Sequence, residues 1–271
     1  MLTLRPLAEL DSDALLALWN AAYAGYLVPL QFDRAMLERH IRRSGIDLQR
    51  SVVGAIDGQD FGLSLAAFRD RRAWIGGFGV AEAFRRRGLA TRLMEAYLER
   101  LDSEGVGEVW LEVIDANPAR EVYRRCGFAE TRELRMFEGA PVAGDAGDEL
   151  STEALARRHA ALNPVRPVWR RDLPALMDSV AVEGASVLGV EGAYAVALDQ
   201  GERVFLCDAA AVDREAATRL LGALAHRWPG KPLRLVDEPL DSPLARACAA
   251  AGLANPLNQF EMLRRAPRQK S

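Results

Sequence analysis

The stretch from Ala73 to Leu101 constrains this chain more than any other. It opens with Ala-Trp-Ile-Gly-Gly-Phe-Gly-Val at 73–80, an apolar run of strand length, and closes with Leu89, Leu93, Met94, Tyr97, Leu98 and Leu101, spaced by three and four as on one helix face. Between the two lies Arg85-Arg86-Arg87-Gly88-Leu89-Ala90. The first amides of a helix have no partner inside it, and with the positive end of the helix dipole they make an anion site. Glycine lets a phosphate reach the backbone, Ala90 keeps the approach clear, and the arginines add charge. A run of three arginines alone describes a solvated surface turn equally well, so the flanking elements carry the weight.

Those flanks read as a mixed α/β domain. Leu2-Thr3-Leu4-Arg5 alternates like a strand, and Asp11-Ser12-Asp13 offers a cap for a helix carrying Leu15, Leu16, Leu18 and Trp19. A second helix is expected over 32–43, followed by a hairpin whose two strands meet at Asp57-Gly58. Glu108 to Ile114 is again strand-like, Asn117-Pro118 starts a helix that ends at Cys126-Gly127, and a strand follows from Phe128 to Phe137.

With these residues in view, the first half resembles the GNAT acyl-CoA N-acyltransferase superfamily. Arg85, Gly88 and Ala90 fill its pyrophosphate-loop pattern Gln/Arg-x-x-Gly-x-Gly/Ala. Gly77-Phe-Gly-Val80 looks like the strand that feeds the loop, and Asn117 through Tyr123 to Gly127-Phe128 looks like the family's second cofactor-side motif. The match in element order covers about residues 1–137, and in sequence detail 78–128. The resemblance implies a GNAT fold and transfer of an acetyl or other acyl group from acetyl-CoA to a primary amine by direct attack in a ternary complex, with no metal. It implies that Arg86, Arg87, Gly88, Leu89 and Ala90 cradle the pyrophosphate behind Arg85, that Phe78, Gly79 and Val80 offer backbone groups to the pantetheine arm, and that Asn117 lies beside the cofactor. Tyr123 takes the family's general-acid position, where a phenol of pKa ~10 can protonate a departing thiolate. The alternative reading is a GNAT-like module that binds acyl-CoA without catalysis.

Several side chains keep two readings. Gly76, Gly77 and Gly79 permit the bulge and splay that the family places here, or are packing glycines. Asn117 caps a helix, contacts the cofactor, or does both. Glu112 and Asp115, on or just after the strand beside the cofactor arm, are candidate bases, with Glu82 a third; each is also a plausible solvated acid. Tyr26, in the apolar segment from Tyr23 to Phe32 that joins the first two helices, lines an acceptor pocket or covers a core.

Between Glu138 and Glu149 the periodicity lapses into a Gly/Pro/Asp-rich stretch, and beyond Pro164 the element order begins again. Ala90-Thr91-Arg92-Leu93 recurs as Ala217-Thr218-Arg219-Leu220, and the run from Val109 to Phe128 parallels that from Arg234 to Leu253. The expectation is two tandem GNAT-like domains: catalytic at 1–140, a linker and connecting helix at 141–163, and a degenerate repeat at 164–271. Aligned in this way, Glu215 takes the place of Gly88, Val212 that of Arg85 and Cys248 that of Tyr123, which removes the phosphate cradle.

At 271 residues and 49% hydrophobic content the chain can bury two cores, and a net charge of -3 gives no polyelectrolyte character. No nucleic-acid or membrane partner is expected, the start lacks signal-peptide features, and the predicted location is cytoplasmic. The expected partner is a small-molecule, peptide or protein amine, acting on a monomer or homodimer. Cys126, Cys207 and Cys248 read as buried thiols, while His40, His159 and His226 sit in charged helical contexts and read as surface residues.

Overall fold

The computed structural model describes residues 1–28, 30–163 and 165–267. Pro29 of the expected acceptor segment, Pro164 at the expected start of the second domain, and residues 268–271 lie outside the described residues. The chain divides into two compact units, Met1–Thr131 together with the residues from Glu261 onward, and Arg132–Phe260.

In chain order the first unit holds β1 (Leu2–Pro6), α1 (Ser12–Ala22), α2 (Arg34–Ser44), β2 (Val52–Ile56), β3 (Gln59–Arg69), β4 (Arg72–Val80), α3 (Leu89–Ser103), β5 (Glu108–Ile114) and α4 (Ala119–Arg125). Then follow β6 (Ala129–Gly139), β7 (Asp148–Glu149), α5 (Thr152–Leu162), α6 (Leu173–Ala181), β8 (Ser186–Val190), β9 (Ala193–Asp199), β10 (Val204–Ala211), α7 (Arg214–Arg227), β11 (Leu233–Pro239), α8 (Pro243–Ala250) and β12 (Asn258–Arg265). The order α-α-β-β-β-α-β-α therefore occurs twice, from α1 to α4 and from α5 to α8.

Local chemistry explains the boundaries. The Asp11 and Asp33 carboxylates cap α1 and α2 by accepting from the Ala14 and Met36 amides, and Gly45 ends α2 in the left-handed conformation. Asp57 and Gly58 both have positive φ, as the tight β2–β3 hairpin requires. In the first unit the strands lie in the order β1-β2-β3-β4-β5-β12. All neighbours through β4 are antiparallel, whereas β4 and β5 run parallel. The apolar face of α3, with Leu93, Met94, Tyr97 and Leu101 buried, closes the core over this sheet. The last strand is fixed by a two-point ion pair from Arg264 to Asp102 at 2.7 and 2.6 Å and by the Ala266 amide, which donates to the Gly107 carbonyl.

The second unit orders its strands β6-β11-β10-β9-β8-β7 around a core of Leu206, Leu220, Leu224 and Leu235. The segment read as a linker packs within this unit: the Gly144 amide donates to the Gly222 carbonyl of α7, and a Cβ on Gly222 would lie 3.1 Å from Gly144. Its glycines thus serve close approach to a helix as well as chain direction. Among the described residues there is no disulfide, and Cys126, Cys207 and Cys248 are all buried. Of the histidines only His226 is exposed. His159 is buried beneath Tyr194 and bonds to the Arg171 carbonyl, and His40 is half-buried against Trp19, which corrects the surface reading of both.

Candidate active site

β4 and β5 pair only at their first residues, Arg72 with Glu108, Ala73 with Val109 and Trp74 with Trp110. Beyond Trp74 the two parallel strands separate, leaving a V-shaped gap bordered by Ile75–Val80 on one side and the end of β5 on the other. The register of β4 against β3 slips at Gly76, between the pairs Ala66–Ile75 and Leu65–Gly77. Both readings of the glycines hold. Gly76 is the extra residue of the bulge, and a Cβ on Gly77 or Gly79 would strike the Trp19 ring at 2.5 Å or Ala22 of α1 at 2.9 Å.

At the open end of the gap the chain turns through the basic loop into α3. Arg86 and Gly88 both adopt positive φ, 60° and 71°, and Gly88 occupies the cap position with no side-chain cap. Alternation of this kind turns successive amides toward a common concavity, and the first amides of α3 add to it. Nothing lies within 4 Å of a Cβ placed on Gly88, so the space before the helix is open. Arg86 and Arg87 are exposed. Arg85 instead turns inward: its guanidinium donates to the Val80, Ala22 and Ala24 carbonyls at 3.1, 3.0 and 2.8 Å, tying the loop to β4 and to the end of α1.

Three tyrosines converge on the gap. Tyr23, just after α1, accepts a hydrogen bond from the Phe78 amide at 3.0 Å. Tyr26 accepts from the Asn117 side-chain amide at 2.8 Å, while Asn117 Oδ1 accepts from the Ala119 amide at the start of α4. Asn117 therefore both caps α4 and anchors the α1–α2 connection. Tyr123 on α4 is buried between Phe78 and Phe128, with ring centroids 5.9 Å away on either side. Burial, then the neighbouring Tyr23 and Tyr26 hydroxyls, push its pKa well above the ordinary phenol value; burial also raises those of Tyr23 and Tyr26. Gly77 and Gly79 face α1 while the Phe78 ring meets Tyr123, so α1 and α4 cover opposite faces of β4.

The carboxylates separate into distinct environments. Glu112, half-buried on β5, accepts from the Trp74 indole at 2.8 Å, and Trp74 lies beside His40, whose Nε2 bonds to the Gly76 carbonyl at the bulge. Asp115 is surface-exposed and paired with Arg120, and Glu82 is exposed in the turn after β4. Of the expected backbone set, the Phe78 amide and the Val80 carbonyl have side-chain partners already, Tyr23 and Arg85. Sequence reasoning missed Tyr23 and His40, since each is defined by one long-range bond to a backbone atom of β4.

Residues 7–128 match the acetyltransferase (GNAT) family model. Residues 7–128 are a GNAT acetyltransferase domain. Solved GNAT structures extend the likeness in fold to the whole chain. A tandem GNAT protein from the clavulanic acid biosynthesis pathway aligns over 100% of both chains at TM-score 0.66 and 13% identity. A GCN5-related N-acetyltransferase from Sphaerobacter thermophilus aligns over 100% of this chain and 97% of its own at TM-score 0.68 and 13% identity. One from Anabaena variabilis aligns over 98% and 73% at TM-score 0.63 and 12% identity. A search of curated proteins found no match. The architecture is two tandem GNAT-like domains, the first of which carries the family motifs.

The second GNAT-like domain has the same frame with different contents. β10 and β11 pair at only three positions, and β10 carries a bulge at Cys207. The chain passes from β10 to α7 through Val212 and Asp213 alone, where the first domain uses residues 81–88. Asp213 caps α7 and accepts from the Ala216 amide at 2.8 Å. The cap itself thus holds the position of Gly88, with Glu215 the second residue of the helix, as Ala90 is of α3, which shifts the correspondence read from the sequence. Arg171, 6% exposed, enters between the strands and donates to Asp208 at 2.6 Å, the Ala209 carbonyl at 2.8 Å, the Asp237 carbonyl at 3.0 Å and Glu238. Tyr194 donates to the second oxygen of Asp208, and Ser242 to that of Glu238. Among the described residues there is no His/Cys/Asp/Glu group suited to a metal ion, and no helix is long and apolar enough to cross a membrane.

Proposed function

We propose that the first domain transfers an acyl group, acetyl in the simplest case, from acyl-CoA to a primary amine within a ternary complex. The observation that carries this reading is the gap between β4 and β5 opening directly onto the uncapped, glycine-led start of α3. Its far end is the uncapped start of α3, with open space at Gly88 and with Arg85 turned onto the Val80, Ala22 and Ala24 carbonyls, so the residues present fit a pyrophosphate with an extended arm. Bound there, acyl-CoA supplies an activated thioester carbon and a thiolate leaving group.

The chain's own residues supply position and protons. The amides from Arg86 to Ala90 hold the pyrophosphate, with Arg85 shaping the loop from within. Tyr123, kept protonated by its burial, donates to the departing sulfur. Glu112 is the preferred base for the incoming amine over Asp115, because it is partly screened and stands beside the gap while Asp115 is committed to Arg120. Tyr26 and the α1–α2 connection border the acceptor. Holding two substrates together in this way accounts for much of the expected rate. The second domain, with its short turn and filled gap, serves a structural role. A panel of amines assayed by thiol release tests the proposal: turnover with at least one amine, lowered in Tyr123→Phe, is expected, and binding of acetyl-CoA with no turnover across polyamines, amino acids, aminoglycosides and peptides would favour a non-catalytic module.

A further inference from the structure

Resting on that reading, the hydrogen bonding of Tyr23 assigns a further role in the gap. The Phe78 amide lies on the part of β4 that has left β5, where an N–H directed into the gap would be the obvious donor to an acyl oxygen. That N–H is already used: it donates to the Tyr23 hydroxyl at 3.0 Å. An amide can only donate, so the phenol oxygen is the acceptor and its own proton is turned elsewhere. Among the described residues no group accepts that proton. Tyr23 is 8% exposed, its ring is packed against Trp19 at 4.4 Å and Tyr26 at 5.3 Å, and its position is therefore fixed before any ligand arrives.

We propose that the Tyr23 hydroxyl, held by the Phe78 amide, is the hydrogen-bond donor to the acyl carbonyl oxygen of the bound thioester. Accepting from the amide polarises the O–H and makes it a stronger donor, as in any hydrogen-bonded chain. Tyr123 approaches from the α4 face of β4 and Tyr23 from the α1 face, so the two phenols divide the work, one at the sulfur and one at the oxygen. No proton leaves Tyr23. Its burial keeps it neutral, and its contribution is a fixed dipole aimed at the charge that develops on oxygen.

The test needs no acceptor. Acetyl-CoA labelled with carbon-13 at the carbonyl is bound at saturation to the wild type and to Tyr23→Phe, and the carbonyl stretch is read by infrared difference spectroscopy, with affinity measured in parallel. The wild type is expected to shift the stretch to lower wavenumber than in free acetyl-CoA, and Tyr23→Phe to lose most of that shift while the affinity changes by less than about fivefold, since the phenylalanine ring keeps the packing. In the ligand-free proteins the Phe78 amide proton resonance should move on the same substitution, reporting the loss of its acceptor. An equal carbonyl shift in both proteins overturns the assignment and leaves the acyltransferase reading intact, whereas failure of the wild type to bind acetyl-CoA overturns both.

Discussion

Replacing Arg171 with methionine removes the cation that occupies the gap of the second domain. Arg171 makes four hydrogen bonds, two of them to the carboxylates of Asp208 and Glu238, which are 0% and 2% exposed. Methionine fills part of the volume but leaves both acids buried without their partner. Loss of one member of a buried ion pair costs about 3–5 kcal/mol, against a total stability of roughly 5–15 kcal/mol for a domain. In a domain of this size that corresponds to a fall in melting temperature of roughly 10–20 °C. The pH dependence follows from Glu238. Burial raises its pKa in the folded state and Arg171 draws it back down. A raised carboxyl pKa means that the folded state binds the proton more tightly than the unfolded one, so its relative stability is highest at low pH and falls as pH rises through the folded value. Without Arg171 the folded value rises further, so the deficit against the wild type should shrink between pH 7.5 and 5.5. Thermal unfolding by circular dichroism at both pH values measures it. A loss under about 3 °C, or a deficit independent of pH, would refute the view that this arginine neutralises buried acids.

Gly77→Ala should cost about 1–3 kcal/mol by forcing a methyl into the Trp19 ring at 2.5 Å, whereas Gly88→Ala, with open space around its Cβ, should cost only the ~1 kcal/mol of a left-handed backbone; chemical denaturation of both variants gives the ranking, and a larger loss at Gly88 would contradict it. Tyr123→Phe should lower turnover by about 10²–10⁴-fold with acetyl-CoA affinity nearly unchanged, measured once an acceptor amine is in hand. Because burial keeps the Tyr123 phenol protonated beyond its ordinary range, the wild-type kcat profile should show no alkaline fall from this group below about pH 10, and a limb near pH 8 that vanishes in the phenylalanine variant would contradict its burial.

The first domain was largely legible because its determinants are local. Asp11, Asp33, Gly45 and the Asp57-Gly58 turn act on neighbours within a few residues, and the Arg85–Ala90 loop is contiguous. What escaped the sequence is long-range or encoded in what is missing. Arg85 fitted the motif by type, but that it spends its guanidinium on the carbonyls of Val80, Ala22 and Ala24 depends on where α1 ends. Tyr23 read as one aromatic among several until the Phe78 amide, 55 residues away, gave it a role. In the second domain nothing local to Arg171 marks it as buried, and only the fold brings Asp208 and Glu238 around it. The turn from β10 to α7 has two residues where the first domain has eight, so pairing Val212 and Glu215 with Arg85 and Gly88 assumed a loop length that the second domain does not have. The return of the last strand to the first unit has no linear signal at all, since Arg264 and Asp102 meet across 162 positions.

Calorimetric titration of acetyl-CoA into the wild-type protein and Gly88→Glu is the most direct test of the central claim, that the β4–β5 gap and the start of α3 form the single cofactor site. One site per chain, abolished by the carboxylate placed at the helix start, is the predicted result. No binding to the wild type would contradict the acyltransferase account, and two sites per chain would contradict the closed gap of the second domain.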